Sequence, residues 1–271
     1  MPDGRRLAVL GSPVAHSRSP QLHAAAYREL GLPWEYGRAE VPAGTLAGFL
    51  DGVDESWRGL SLTMPLKREV LPLLDGADEL VTASGVCNTV LLDAGRRLGF
   101  NTDVDGLVRA LAERRVGERA DALVLGGGAT AVSMLLALAR IGVRTVTLVV
   151  RSPDRAAHLP GIVPDLDVRV LSFTDPLPAA SILASTLPGD ADLPALPPFP
   201  SGAALIDVAY EPWPSRLAAE WGHTGPVVSG LDMLLHQAVL QVRIFTAGSP
   251  EQDLPREDAV ILAMRAAVEG F

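Results

Sequence analysis

The chain has 271 residues, 48% of them hydrophobic and 20% charged, and carries a formal net charge of −9 with a pI near 5.0. That length fits one large domain or two modest ones, and the composition excludes a disordered chain. The acidic balance argues against a nucleic-acid partner, no apolar run approaches the roughly 20 residues of a membrane span, and the single cysteine, Cys87, excludes an internal disulfide.

In chain order, Leu7 to Gly11 reads as a short buried strand, and the opening MPDGRRLAVLG lacks the long apolar stretch of a secretory leader, so the expected location is the cytoplasm. Ser19 is the expected N-cap of a helix over Gln21 to Leu30, with Pro20 at its first position and Gly31-Leu32-Pro33 ending it. Trp34 to Val41 and Trp57 to Thr63 are further strands, with a short helix over Pro42 to Leu50 between them. Pro65 restarts a helix that carries Lys67 in its first turn. Val86 to Leu92 and Arg96 to Phe100 form a predicted hairpin around Asp93-Ala94-Gly95. Asp103 to Arg115 is a predicted helix leaving this first α/β domain. The strand Ala122 to Leu125, three glycines, the apolar helix Ala129 to Ile141 and the strand Thr145 to Val150 then make a βαβ unit that opens a parallel sheet. Val168 to Leu171, Ser181 to Ala184 and Ala204 to Val208 continue that sheet. Leu231 to Phe245 and Arg256 to Val268 read as closing helices.

Three features carry chemistry. Gly126-Gly127-Gly128-Ala129-Thr130-Ala131 follows a strand and opens a helix, where a bare backbone and free N–H groups accept a pyrophosphate. The next strand ends in Val150-Arg151-Ser152, with Arg155 a helical turn on. No carboxylate stands there to take a ribose 2′-hydroxyl, whereas a guanidinium suits a 2′-phosphate, so NADP is expected over NAD. Finally, 22 of the 23 basic residues are arginine and Lys67 is the sole lysine. Arginine cannot give up its proton, so a lone lysine in such a chain is where amine chemistry would sit; an ordinary surface charge is the plain alternative. Around it fall Ser17, Ser19, Ser61, Thr63, Asn88, Asn101, Thr102 and Asp103, all at element ends, a set suited to satisfying a polyol hydroxyl by hydroxyl. No cluster has metal-ligand spacing. His16 and His236 are rival acid–base groups, and Cys87 reads as a small apolar residue.

The order Ser17-x-Ser19-Pro20, Thr63-x-Pro65-x-Lys67, Asn88-Thr89, Asn101-Thr102-Asp103, the glycine turn, Asp207-Val208-Ala209-Tyr210 and Ser229 to Ala238 resembles the shikimate dehydrogenase family through nearly the whole chain. The resemblance implies two α/β domains with the active site in the cleft between them. A substrate domain over 1–102 is rejoined by helices over 238–271, and an NADP-binding Rossmann domain with a doubly wound parallel sheet spans 103–237. It implies reversible NADPH-dependent reduction of 3-dehydroshikimate to shikimate, on the route to chorismate and the aromatic amino acids. By position, Lys67 and Asp103 match the catalytic pair. Ser17, Ser19, Thr63, Asn88, Tyr210 and Gln237 match substrate ligands. Gly126 to Ala131 matches the cofactor turn, Arg151 the 2′-phosphate arginine, with Arg155 beside it, and Gly230 a residue near the nicotinamide. The sequence departs from the family pattern at Ser61, Val150 and Ser229. A quinate/shikimate or aminoshikimate dehydrogenase, a catalytically silent nucleotide sensor, and a homodimer all stay open at this level.

Overall fold

The computed structural model describes residues 4–222 and 224–269 and divides into two units, one of residues 1–102 and 234–271, the other of residues 103–233.

In the first unit, β1 (Arg6–Gly11), β2 (Glu35–Glu40), β3 (Trp57–Leu62), β4 (Gly76–Ala77), β5 (Thr89–Asp93) and β6 (Arg96–Phe100) make one mixed sheet in the order β2-β1-β3-β5-β6-β4. The expected hairpin is present: β5 and β6 are antiparallel, and Ala94 and Gly95 between them both have positive φ, as a two-residue turn matched to the strand twist requires. Side chains alternate across the sheet with the two-residue period of a strand. Leu7 and Leu91 enter one apolar layer, while Ala8, Leu10, Leu60, Leu62 and Val90 enter the other. The first layer is closed by α1 (Ser19–Glu29) and by the two C-terminal helices, α9 (Gly230–Ala247) and α10 (Glu257–Glu269), through Leu22, Leu235, Val239, Phe245 and Met264. The second is closed by α2 (Leu46–Asp51), α3 (Leu66–Glu69) and α4 (Glu79–Ser84), the last with no counterpart in the predicted elements.

Two expectations change. Helix α1 begins at Ser19, so Arg18 takes the N-cap position without a side-chain cap, and Pro20 is the second helical residue, still within the first turn where its missing N–H costs nothing. The unit boundary falls after Met233 instead of at 238, because Leu234 and Leu235 pack into the first unit's core and Gln237 bonds there.

In the second unit, β7 (Asp121–Leu125), β8 (Thr145–Val150), β9 (Asp167–Ser172), β10 (Ile182–Ser185), β11 (Ala204–Asp207) and β12 (Val227–Ser229) form an all-parallel sheet in the order β12-β11-β10-β7-β8-β9. The chain runs outward one way through β8 and β9 and the other way from β10, which makes the β7–β10 junction the switch point of a doubly wound sheet. Helices α5 (Asp103–Glu113) and α6 (Ala129–Arg140) pack together, and α7 (Pro153–Ala156) and α8 (Arg216–Trp221) complete the unit. Trp221 and Leu217 cover a core of Leu123, Leu183 and Leu205. Among the described residues no helix is long and apolar enough to cross a membrane.

Candidate active site

The first unit gathers its polar residues where β1, β3 and β6 end and β5 begins. The end of β3 lies against the end of β1: Thr63 N–H donates to Leu10 C=O (2.9 Å) and Ser12 N–H to Met64 C=O (2.9 Å). Gly11 is required there, since a Cβ would run into the Thr63 methyl and lie 2.9 Å from the Met64 carbonyl. Ser17 and Ser19 stand together at the start of α1, with Ser19 N–H donating to Ser17 Oγ (3.3 Å). Arg38 of β2 reaches across to the Ala15 and Ser17 carbonyls and fixes that loop. Lys67 is half-buried in α3. Its backbone carbonyl accepts from Cys87 N–H (2.8 Å), and Leu62 N–H donates to Asn88 C=O (2.7 Å), so Thr63, Lys67 and Asn88 belong to one hydrogen-bonded frame.

Asn88 is the centre of that frame and is buried. Its Oδ1 accepts from Thr102 N–H (2.9 Å) and from Thr89 Oγ1 (2.8 Å). A backbone N–H can only donate, so this bond fixes which end of the amide is oxygen. The Asn88 NH2 therefore points at Thr102 Oγ1 (2.9 Å) and Gln237 Oε1 (3.4 Å). Gln237 is oriented in the same way, its NH2 donating to Leu234 C=O (2.9 Å). Thr102, one of the polar set expected around Lys67 though not matched to a substrate ligand, is the partner that joins Asn88 to Gln237.

Cys87 beside them is fully buried, and burial pushes its thiol up to about 12, which leaves it protonated and inert. His16 is exposed and His236 nearly buried.

The second unit holds the other expected residues. Asp103 is buried at the first turn of α5, where a helix N-terminus favours negative charge. The glycine turn follows β7 at the switch point. Gly126 has φ +103°, and a Cβ there would collide with Thr186 Oγ1. Thr186, which follows β10 and donates to Leu125 C=O (2.9 Å), was no sequence candidate; the Ser-Thr pair ending its strand is the signal that could have marked it. A Cβ on Gly127 would lie 2.9 Å from Val150 Cγ1, but one on Gly128, the N-cap of α6, would meet nothing within 4 Å. The first two glycines are thus accounted for by packing, and the third fronts open space at a helix N-terminus. Ala129 and Thr130 form the first turn of α6, with Ala131 buried behind them. Arg151 and Arg155 are exposed past the end of β8. These features fit a dinucleotide with a 2′-phosphate: bare backbone and free N–H groups for the pyrophosphate, guanidinium groups for the extra phosphate.

Tyr210 is half-buried in the loop after β11. The loop's base is tied by Asp207, which accepts from Ala209 N–H (3.1 Å) and from the Ser215 hydroxyl; burial raises the pKa of this carboxyl. Gly230 is buried against backbone, and a Cβ there would overlap the Val208 carbonyl. The Ser229 departure has a local use. Its hydroxyl and N–H both donate to Asp232 Oδ2 (2.9 Å each), and Asp232 N–H returns to Ser229 Oγ (3.2 Å), which caps the start of α9 reciprocally.

A parallel, doubly wound sheet with this glycine turn, in one chain with a buried amide–hydroxyl cluster, is the architecture of an NAD(P)-dependent oxidoreductase. A family model described as the shikimate dehydrogenase substrate binding domain matches residues 9–90. A shikimate dehydrogenase (NADP(+)) of Thermus thermophilus is 36% identical over 251 residues, covering 91% of this chain and 94% of the relative. Two solved structures are similar throughout. The shikimate dehydrogenase of Mycobacterium tuberculosis has a TM-score of 0.82 at 38% identity, covering 97% of this chain and 99% of that one. The shikimate 5-dehydrogenase of Thermus thermophilus in complex with NADP(H) and shikimate has a TM-score of 0.82 at 34% identity, covering 97% and 100%. The chain belongs to the shikimate dehydrogenase family.

Proposed function

We infer that this chain catalyses the reversible NADPH-dependent reduction of 3-dehydroshikimate to shikimate, in the cytoplasm. The observation that supports the reading is the hydrogen-bonded frame that ties the backbone of the chain's only lysine, Lys67, to Cys87, next in the chain to Asn88, whose fixed amide meets Gln237. When bound, NADPH supplies the hydride that reaches the substrate's C3 carbonyl carbon.

The chain's own residues do the rest. The carbonyl oxygen gains negative charge as the hydride arrives, and the Lys67 ammonium stabilises that charge and then donates its proton to the oxygen; in the oxidative direction the neutral amine takes the proton back. Asp103 accepts a hydrogen bond and orients the reacting hydroxyl. Asn88 presents its NH2 and Gln237 its amide oxygen to ring hydroxyls, and Thr63 adds a hydroxyl beside them. Ser17 and Ser19, with Tyr210, hold the carboxylate. Gly128 and the first turn of α6 bind the pyrophosphate, Arg151 and Arg155 the 2′-phosphate, and Gly230 lies near the nicotinamide. The test is the absorbance at the reduced nicotinamide band with NADP and shikimate as the only reactants, repeated with quinate and with NAD. Turnover with shikimate plus NADP supports the reading. Turnover with quinate alone, or with neither acid, overturns it.

A further inference from the structure

Beneath the site a second polar cluster lies wholly inside the first unit, between the sheet and α9. On α9, Gln237, Gln241 and Phe245 recur at four-residue spacing and share the face turned to the sheet. Phe245 fills the space over Gly59, where a Cβ would run into its ring. Gln241 is buried and stands over Ser61 and Thr89.

Its orientation follows from hydrogen-bond polarity. Gln241 Nε2 lies 3.4 Å from the Asn88 carbonyl, which can only accept, so that end of the amide is the NH2, and it also donates to Thr89 Oγ1 (2.9 Å). With its acceptor side so engaged, the Thr89 hydroxyl sends its proton to Asn88 Oδ1 (2.8 Å). At the other end Gln241 Oε1 can only accept. It takes the Ser61 hydroxyl (2.9 Å), which in turn accepts from Tyr36 (2.6 Å), and it takes His23 Nε2–H (3.2 Å). In a neutral ring His23 Nδ1 is then the acceptor for the Tyr27 hydroxyl (3.1 Å). Burial lowers the His23 pKa to about 3, and stacking on Tyr36 (3.9 Å between ring centroids) holds the ring in place.

We propose that Gln241 and Thr89 are positioning residues: together with the Thr102 N–H, a one-directional relay backed by neutral His23 holds the Asn88 amide oxygen, so that the NH2 stays turned to Thr102 Oγ1 and Gln237 Oε1, the side on which the polyol binds. The inference rests on the reading of Asn88 as a substrate ligand. A ligand oxygen then meets a donor that does not have to reorient, and an Asn88 turned the other way would confront it with lone pairs.

The test uses the full chain and shikimate–NADP kinetics. Thr89→Val keeps the shape and cuts the relay; Thr89→Ser keeps the hydroxyl. Thr89→Val is expected to raise the shikimate KM about five- to ten-fold with kcat and the NADP KM little changed, the size of one lost hydrogen bond, and Thr89→Ser to restore it. In an Asn88→Ala background Thr89→Val is expected to add nothing, since it acts through Asn88. A shikimate KM unchanged in Thr89→Val, or a full additional loss in the Asn88→Ala background, overturns the positioning role while leaving the proposed activity intact. Absence of turnover in the unmodified chain overturns both. Should Thr89→Val fail to fold, Gln241→Glu reads the same relay. Only its protonated form can donate toward Thr89, so its shikimate KM is expected to climb with pH where that of the unmodified chain is flat. A flat profile overturns the relay.

Discussion

Gly128→Ala separates cofactor binding from folding. The backbone at Gly128 (φ −79°, ψ −171°) is an extended conformation open to any residue, and the added methyl would meet no atom of the protein within 4 Å. Alanine is a poorer N-cap than glycine by about 0.5 kcal/mol, while loss of glycine's freedom in the unfolded chain returns about 0.4–1 kcal/mol. The two nearly cancel, so the melting temperature is expected to move by less than about 2 °C. Cofactor binding is another matter if, as proposed, the pyrophosphate sits on the α6 N-terminus, because the methyl would then intrude on its space. Losing one charge-assisted N–H to phosphate bond removes about 1.5–3 kcal/mol, a weakening of NADP binding by about ten- to a hundred-fold. Calorimetric titration with NADP and thermal unfolding with and without it measure both quantities on one sample. The apo melting point stays, the NADP-induced rise shrinks, and the shikimate KM at saturating NADP holds. NADP affinity within about two-fold of the parent would remove Gly128 from the cradle. Gly126→Ala is the contrast: positive φ and the clash with Thr186 should lower the apo melting point itself.

Three further outcomes are expected. Lys67→Arg keeps the charge but cannot release a proton at working pH, so kcat should fall at least about a hundred-fold, and near-parental turnover would refute proton transfer by Lys67. Arg151→Ala should raise the NADP KM about ten-fold and leave the NAD KM nearly unchanged; equal effects on both would place Arg151 outside the 2′-phosphate site. His23 adds a pH dependence to stability. Its pKa of about 3 in the fold lies below the ordinary 6.5, so between those values the unfolded chain binds the extra proton. Its contribution is fully present above about pH 6.5 and is lost as pH falls toward about 3, by at most about 1.4 kcal/mol per unit. Denaturant midpoints from about pH 7 to about pH 4 should therefore fall less steeply in His23→Gln, and identical slopes would refute a neutral buried His23.

Much of the site was legible because its residues sit at element ends. Strands reveal themselves by apolar runs and helices by caps, so Thr63, Lys67, Asn88 and the glycine turn were placed by their neighbours. The supporting layer was not legible. Gln241 lies in the middle of a helix, Tyr36 inside a strand and His23 in α1, away from the element ends that mark a site residue, and nothing local shows that Ser61 turns to Gln241. The short helices α4 and α8 have no counterpart among the predicted elements, although α2, equally short, has one.

The sequence by itself determined the two α/β segments, the βαβ unit with its phosphate turn, the absence of a carboxylate after Val150, and the singular lysine, since each is a matter of local pattern or composition. Only the tertiary structure decided how the amides face. That depends on carbonyls and N–H groups as far apart in the chain as Asn88 and Gln241, whose fixed polarity orients every flexible group between them. It also decided that Leu234 to Gln237 belong with the first unit. A helix of uniform pattern carries no mark where its packing partner changes, and burial of Leu235 against Leu7 and Leu22 makes that choice.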